Sequence, residues 1–232
     1  INALKDASYF RAFKFTVAYT VVTMILINVI AFAIALALTR KIKGSTIFRT
    51  IFFMPNLIGG IVLGYIWKII LNGVIQAFWN SSLALNATFG FWGLVILMCW
   101  QQIGYMMIIY IAGLQNVPTD YIEAAQIDGA TSGQILTRIT IPCIMPTITI
   151  CTFLTLTNSF KLFDQNLALT NGLPYEGTIG TTQMLALNIY SSFYENLTSL
   201  GVGQAKAVLF FIMVGIISMV QLGLTRSREG QE

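Results

Sequence analysis

From Phe15 to Leu38 no residue carries a charge, and the same holds from Thr50 to Trp67 and from Ile69 to Thr119. Runs of this length do not fit the surface of a water-soluble domain. About 20 mainly apolar residues suffice to cross the hydrocarbon core of a bilayer as a helix. Charged types make up only 9% of the 232 residues and apolar types 56%, whereas a soluble domain is about 25% charged. The chain therefore reads as an all-α, polytopic membrane helix bundle. Its runs are too long and too evenly apolar for barrel strands, and a helix satisfies its backbone groups within one segment.

Five spans are expected, at about 15–38, 50–70, 91–114, 139–161 and 205–225, in one transmembrane domain covering 1–232. The stretch LNGVIQAFWNSSLALNATFG after Ile70 reads as loop. Residues 115–138 form a polar connection, and 162–204 a longer one. Gly177–Tyr194 is too rich in Thr, Ser, Asn and Gly to span and reads as part of a folded extramembrane loop. Pro55, Gly59, Gly60 and Gly64 interrupt the second span. They permit close helix approach, a kink, or both, and Gly60 with Gly64 makes a GxxxG pair.

Arg40, Lys41, Lys43 and Arg49 cluster directly after the first span, which marks that side as cytoplasmic. By alternation the 115–138 connection and the C-terminus, with Arg226 and Arg228, are cytoplasmic too, and residues 1–14 lie outside. The chain opens on Ile1 with an end that nothing before it would carry across. An upstream segment, one further span, is expected. The net charge of +4 is explained by this edge placement of Lys and Arg, so no nucleic-acid partner is expected.

Composition also narrows the chemistry. There is no His, so His acid–base work and His metal sites are excluded. No GxxxxGK[ST] occurs, so ATP is not bound through a P-loop of this chain. Cys99, Cys143 and Cys151 are too few and scattered for a disulfide framework and read as packing residues. No Asp or Glu falls inside an expected span. An ion-coupled carrier generally needs such groups, so the work comes from outside the membrane part or the path is passive. An intramembrane enzyme would need a nucleophile or metal set that is missing.

The polar connection carries the specific signal. Asp120 stands three residues before Glu123, a capping-box spacing, and Gly129 suits a helix C′ position. A short helix is expected over about Asp120–Asp128, with Ala124 and Ala125 small enough for another protein to approach closely. Glu123-Ala124-Ala125, then Gly129, then Ile139-Thr140-Ile141-Pro142 resembles the EAA loop of permease subunits of bacterial ABC importers. The form EAAQIDGA…ITIP is similar to the carbohydrate, maltose-importer branch. FRTIFFMP, WQQIGYMMIIYIAGLQNVP and FKLFDQNLALTNGLP resemble further family stretches, so the likeness covers the whole chain. Gly133 and Leu136 stand where the loop usually has aromatics, and Leu173 replaces a glycine.

The resemblance implies an ABC type I importer permease fold, of six or more spans in the family, and a non-enzymatic role. A second permease subunit, as a heterodimer, would complete the path. Two ATPase subunits would bind ATP and Mg, with no cofactor in this chain. An extracellular solute-binding protein would deliver sugar. It also implies that Glu123, Ala124, Ala125, Asp128 and Gly129 couple to the ATPase, with Glu123 meeting a basic residue there. The setting would be a bacterial cell membrane, among its lipids.

Neutral polar residues inside the spans suit a neutral, hydroxyl-rich ligand: Gln101, Gln102 and Tyr105 in the third, and Thr155, Asn158 and Ser159 in the fourth. Each can equally serve inter-helix hydrogen bonding. Glycerol phosphate importers belong to the same broad group. Lys161 and Asp164 form a local ion pair or meet the binding protein. Asn80-Ser81-Ser82 and Asn86-Ala87-Thr88 match a glycosylation pattern that carries no meaning in a bacterial permease.

Overall fold

The computed structural model describes residues 6–39, 44–176, 179–194 and 200–229, with no side chain described at 222 or 224–229. Arg40, Lys41 and Lys43 lie outside these residues, as do the side chains of Arg226 and Arg228. The helices are α1 (Ala7–Thr39), α2 (Ser45–Phe53), α3 (Gly60–Trp79), α4 (Ala87–Gln115), α5 (Thr119–Ile127), α6 (Ser132–Ile135), α7 (Ile141–Cys143), α8 (Met145–Phe160), α9 (Asp164–Leu169), α10 (Leu185–Tyr194) and α11 (Leu200–Glu229). A two-residue antiparallel hairpin, β1 (Tyr175–Glu176) and β2 (Ile179–Gly180), precedes α10.

Among the described residues, α1, α3, α4 and α11 are long and apolar enough to cross a bilayer. The segment from Ser132 to Phe160 is a fifth only as a broken span, bent by 70°.

The core lies between α1 and α4. The buried face of α1 repeats at helical spacing and is built from small residues: Ala12, Thr16, Thr20, Thr23, Ala31 and Ala35, with Tyr19 and Ile27 between them. Such a stripe lets two backbones close together, which is how helices associate where lipid is as apolar as a side chain. From α4 it receives Leu94, Leu97, Met98, Met106 and Met107. The Tyr19 hydroxyl donates to the Leu94 carbonyl at 3.4 Å.

Three expectations are corrected here. The second span does not run from Thr50. Pro55, buried, sits in a single 3-10 turn at Met54–Leu57, and the chain is extended at Ile58 and Gly59 before α3 starts. Proline supplies no donor for a continuing helix and its ring clashes with the preceding turn. The residues after Ile70 expected as loop are helical as far as Trp79, because no proline occurs there and a weakly placed Gly73 costs only about 1 kcal/mol.

The fourth span is likewise broken. Leu136–Thr140 is a π-turn, with the Ile141 amide donating to the Leu136 carbonyl. Pro142 and Pro146 follow, and the bend falls at Ile144 between them. Insertion of a π-turn beside proline is a recognised cause of kinks.

The first part of 162–204 is folded tightly against the bundle. Asn166, Leu169, Thr182 and Met184 are fully buried. The Asn166 amide donates to Thr170 Oγ1 (2.9 Å) and the Thr182 carbonyl (2.8 Å), and its Oδ1 accepts from the Met184 amide (3.0 Å). One side chain thus closes the segment on itself, so its buried polar groups are satisfied. The helix α9 packs on α3: a Cβ at Gly64 would meet Ala168 Cβ at 2.6 Å, and one at Gly60 would meet Asp164 Cβ at 2.8 Å. The GxxxG pair is the seat of α9.

Candidate functional site: the α5 connection and the polar face of α4 and α8

Helix α5 has no buried residue. Asp120, Glu123, Ala124, Ile127 and Asp128 are exposed and Ala125 half-buried, with Ile127 86% exposed. Asp120, Glu123, Ala124 and Ile127 share one face at helical spacing. The C-terminus is locked. Gly129 has φ +79, the Ala130 amide donates to the Ala125 carbonyl (2.9 Å), and the Gly129 amide to Gln126 (3.1 Å). That is a Schellman arrangement on a left-handed glycine.

The N-terminus differs from expectation. Pro118 takes the cap position, no side chain caps it, and the helix starts one residue early. Asp120 therefore sits inside the first turn, where its charge favours the helix dipole. The capping box forms at Thr131 and Gln134 instead. The Thr131 amide donates to Gln134 Oε1 at 2.8 Å, and the Gln134 amide to Thr131 Oγ1 at 3.4 Å. Its sequence signal, Thr131-Ser132-Gly133-Gln134, was available.

Two adjoining open clefts lie beside α5 and share Ala125, Asp128 and Arg138. One of about 370 Å³ is lined by Ala125, Asp128, Gly129 and Arg138. The other, about 410 Å³, is lined by Tyr121, Ala124, Ala125 and Arg138. A short helix with none of its residues buried and an open hollow beside it is a projection that another surface can grip.

Within the bundle the expected polar residues divide into two sets. Gln101, 5% exposed, donates to the Ile58 carbonyl (3.3 Å) and accepts from Gln165 Nε2 (2.7 Å). It ties the break before α3 to α9. Thr155 accepts from Asn28 Nδ2 (3.2 Å), and Asn28 Oδ1 accepts from the Tyr110 hydroxyl (2.8 Å). Ser159 and Thr23 hydroxyls lie 3.0 Å apart. These side chains pin α1, α4 and α8 together, at about 0.6 kcal/mol for an average interhelical bond.

Gln102, Tyr105 and Asn158 form the second set. All are half-buried. Gln102 Oε1 is buried without a partner. The Tyr105 ring packs 6.5 Å from that of Phe53. Lys161 and Asp164 are both exposed, and no ion pair joins them: the pairs among the described residues are Arg11–Glu176 and Lys206–Asp6. The bend after Phe160 carries Asp164 onto α9, against Gly60. Asn86 and Asn80 act as helix caps, Asn86 accepting from the Thr88 amide at 2.8 Å and Asn80 holding φ 49 at the end of α3.

Comparison with known proteins places this geometry. Residues 30–226 match the profile of the binding-protein-dependent transport system inner membrane component. The chain belongs to this family. Its members are transport permeases of the membrane, not enzymes.

The chain is 45% identical, over 97% of its length and 77% of the relative's, to the "Probable starch degradation products transport system permease protein AmyD" of Thermoanaerobacterium thermosulfurigenes. It is 30% identical, over 97% and 79%, to the multiple sugar-binding transport system permease protein MsmF of Streptococcus mutans. The fold is that of a permease chain in a bacterial alginate ABC transporter, solved in complex with alginate pentasaccharide-bound periplasmic protein. The TM-score is 0.81 at 19% identity, over 99% of this chain and 82% of that one. The permease fold is thereby shown.

Proposed function

We propose that this permease is one half of the translocation path of an ATP-driven importer for a neutral oligosaccharide. The observation that carries the reading is α5, a rigid helix with no buried residue at the end of α4, bearing Glu123-Ala124-Ala125. Two ATPase subunits, which bind ATP and Mg, grip it at the cytoplasmic face. Glu123 meets a basic residue there, Ala124 and Ala125 allow close approach, and Asp128 with Gly129 fixes the helix end. The C-terminus lies on the same side, in a bacterial plasma membrane.

A second, homologous permease completes the path as a heterodimer, and an extracellular binding protein delivers the ligand. The starch- and sugar-transport relatives support a saccharide. Gln102, Tyr105 and Asn158, with polar atoms uncommitted to other helices, contact its hydroxyls and ring faces. Gln101, Thr155 and Ser159 hold the helices in position. Closure of the ATPases moves the two α5 helices together and opens the path outward, a rigid-body switch biased by ATP on one side and loaded binding protein on the other.

Proteoliposomes holding the assembled transporter test this. Glu123→Ala is expected to lower ATP-driven maltodextrin uptake by about tenfold or more, as loss of a charged interface contact costs about 2 kcal/mol. Sugar affinity of the binding protein is expected to be unchanged. Undiminished uptake would contradict the coupling role, and accumulation without ATP would favour an ion-coupled carrier.

A further inference from the structure

Three aromatic rings stand in a row at the end of the bundle opposite α5. Phe163 lies three residues beyond the end of α8, and its ring centroid lies 5.0 Å from that of Tyr190 on α10. Tyr190 in turn lies 4.6 Å from Tyr194, one helical turn on. The ring planes tilt by 52° and 33°, so the row is a shallow staircase. Tyr194 is 71% exposed and Tyr190 37%.

Two tyrosine rings thus meet at a tilt while each keeps solvent-exposed surface. An interfacial aromatic belt sits on spanning helices. At ten residues, about 15 Å, α10 is too short to be one. Lys161 and Asp164 flank Phe163 in the chain, both exposed and in no ion pair. Exposed aromatic faces with unpaired charged donors and acceptors close by in the chain suit a ligand with apolar ring faces and hydroxyl edges. A pyranose has both. The row also begins three residues beyond α8, the helix that bears Asn158.

We propose that Phe163, Tyr190 and Tyr194 form an aromatic platform on which a pyranose unit of the incoming oligosaccharide stacks on its way into the path. Lys161 and Asp164 hydrogen-bond its hydroxyls. The proposal rests on the saccharide reading above. Because the rings extend along a line, a longer chain engages more of them than a disaccharide does.

The test is ATP-driven uptake of maltodextrins, from maltose to maltoheptaose, by the complete transporter with its binding protein in proteoliposomes. Tyr190→Ala/Tyr194→Ala is expected to raise the apparent KM for the longer maltodextrins about tenfold and that for maltose less than twofold, given about 0.5–1.5 kcal/mol per aromatic contact. Tyr190→Phe/Tyr194→Phe, which keeps the rings, is expected to stay near wild type.

If the wild-type complex transports maltodextrins and the double alanine variant matches it at every length, the platform is overturned and the saccharide reading stands. If the wild type moves no maltodextrin, both fall. A loss equal at all lengths with less assembled complex would make the rings a structural or lipid contact. Weakened binding of the sugar-free binding protein would make them a protein contact. Either result overturns the proposal.

Discussion

Among the glycines described, Gly104 leaves the least room for a side chain. A Cβ there would overlap the Phe52 carbonyl, which belongs to the backbone of α2 and cannot swing aside. Gly104→Ala is expected to cost about 1–3 kcal/mol through forced displacement of α2. Gly215→Ala, with open space around it, should be neutral. Thermal unfolding of the two variants in detergent separates them. Lys206 is the other residue on which much hangs. It lies on α11 with its side chain 3% exposed, and its ammonium bonds Asp6 (2.7 Å), Asn188 (3.1 Å) and Ser192 (2.9 Å). One cation thus joins the start of α1, α10 and α11. Burial opposes ionisation of the Asp6 carboxyl, but its bonds to Lys206 and Ser8 outweigh that and hold its pKa below the ordinary 3.8. A depressed carboxylate stabilises the fold above its unfolded pKa and loses that contribution as pH falls through the folded value. Acidification below pH about 4 should therefore lower the melting temperature of the wild type more than that of Asp6→Asn. Lys206→Met should cost about 1–2 kcal/mol, less than a fully buried pair, because Asp6 is 31% exposed.

The elements themselves were legible in uneven measure. A helix near 120–128 could be read because its C-terminal signal is a glycine that only a positive φ explains, and Gly129→Val is expected to fray α5 and reduce coupled uptake more than Gly129→Asn does. Its N-terminal signal misled, because Pro118 can fix the chain before α5 without any side-chain cap, while the Thr131–Gln134 box capped the next helix. Hydropathy finds apolar runs but not breaks inside them. Thr50–Trp67 and Ile139–Phe160 are continuous to a charge count, yet prolines 55, 142 and 146 interrupt both. The buried segment after α8 was the hardest to foresee. Polar residues such as Asn166, Thr170 and Thr182 read as loop until their mutual bonds are known. Of the candidate path residues, the sequence gives the polarity but not the partner. Only the packing separates Thr155 and Ser159, bonded to α1, from Gln102 and Asn158.

At the scale of the whole molecule, a bundle held by small-residue contacts and a few neutral hydrogen bonds is suited to moving as a body. On the function proposed above, force enters through α5, which buries none of its residues. The most direct measurement is the thiol accessibility of Ile127→Cys in a chain whose Cys99, Cys143 and Cys151 have been replaced, in inside-out vesicles, with and without the ATPase subunits. The account predicts rapid modification by a water-soluble reagent when the permease is alone, and a rate lower by about tenfold or more in the full complex, where an interface of ordinary size excludes solvent. Equal rates with and without the ATPases, or modification only from the outer face, would contradict it.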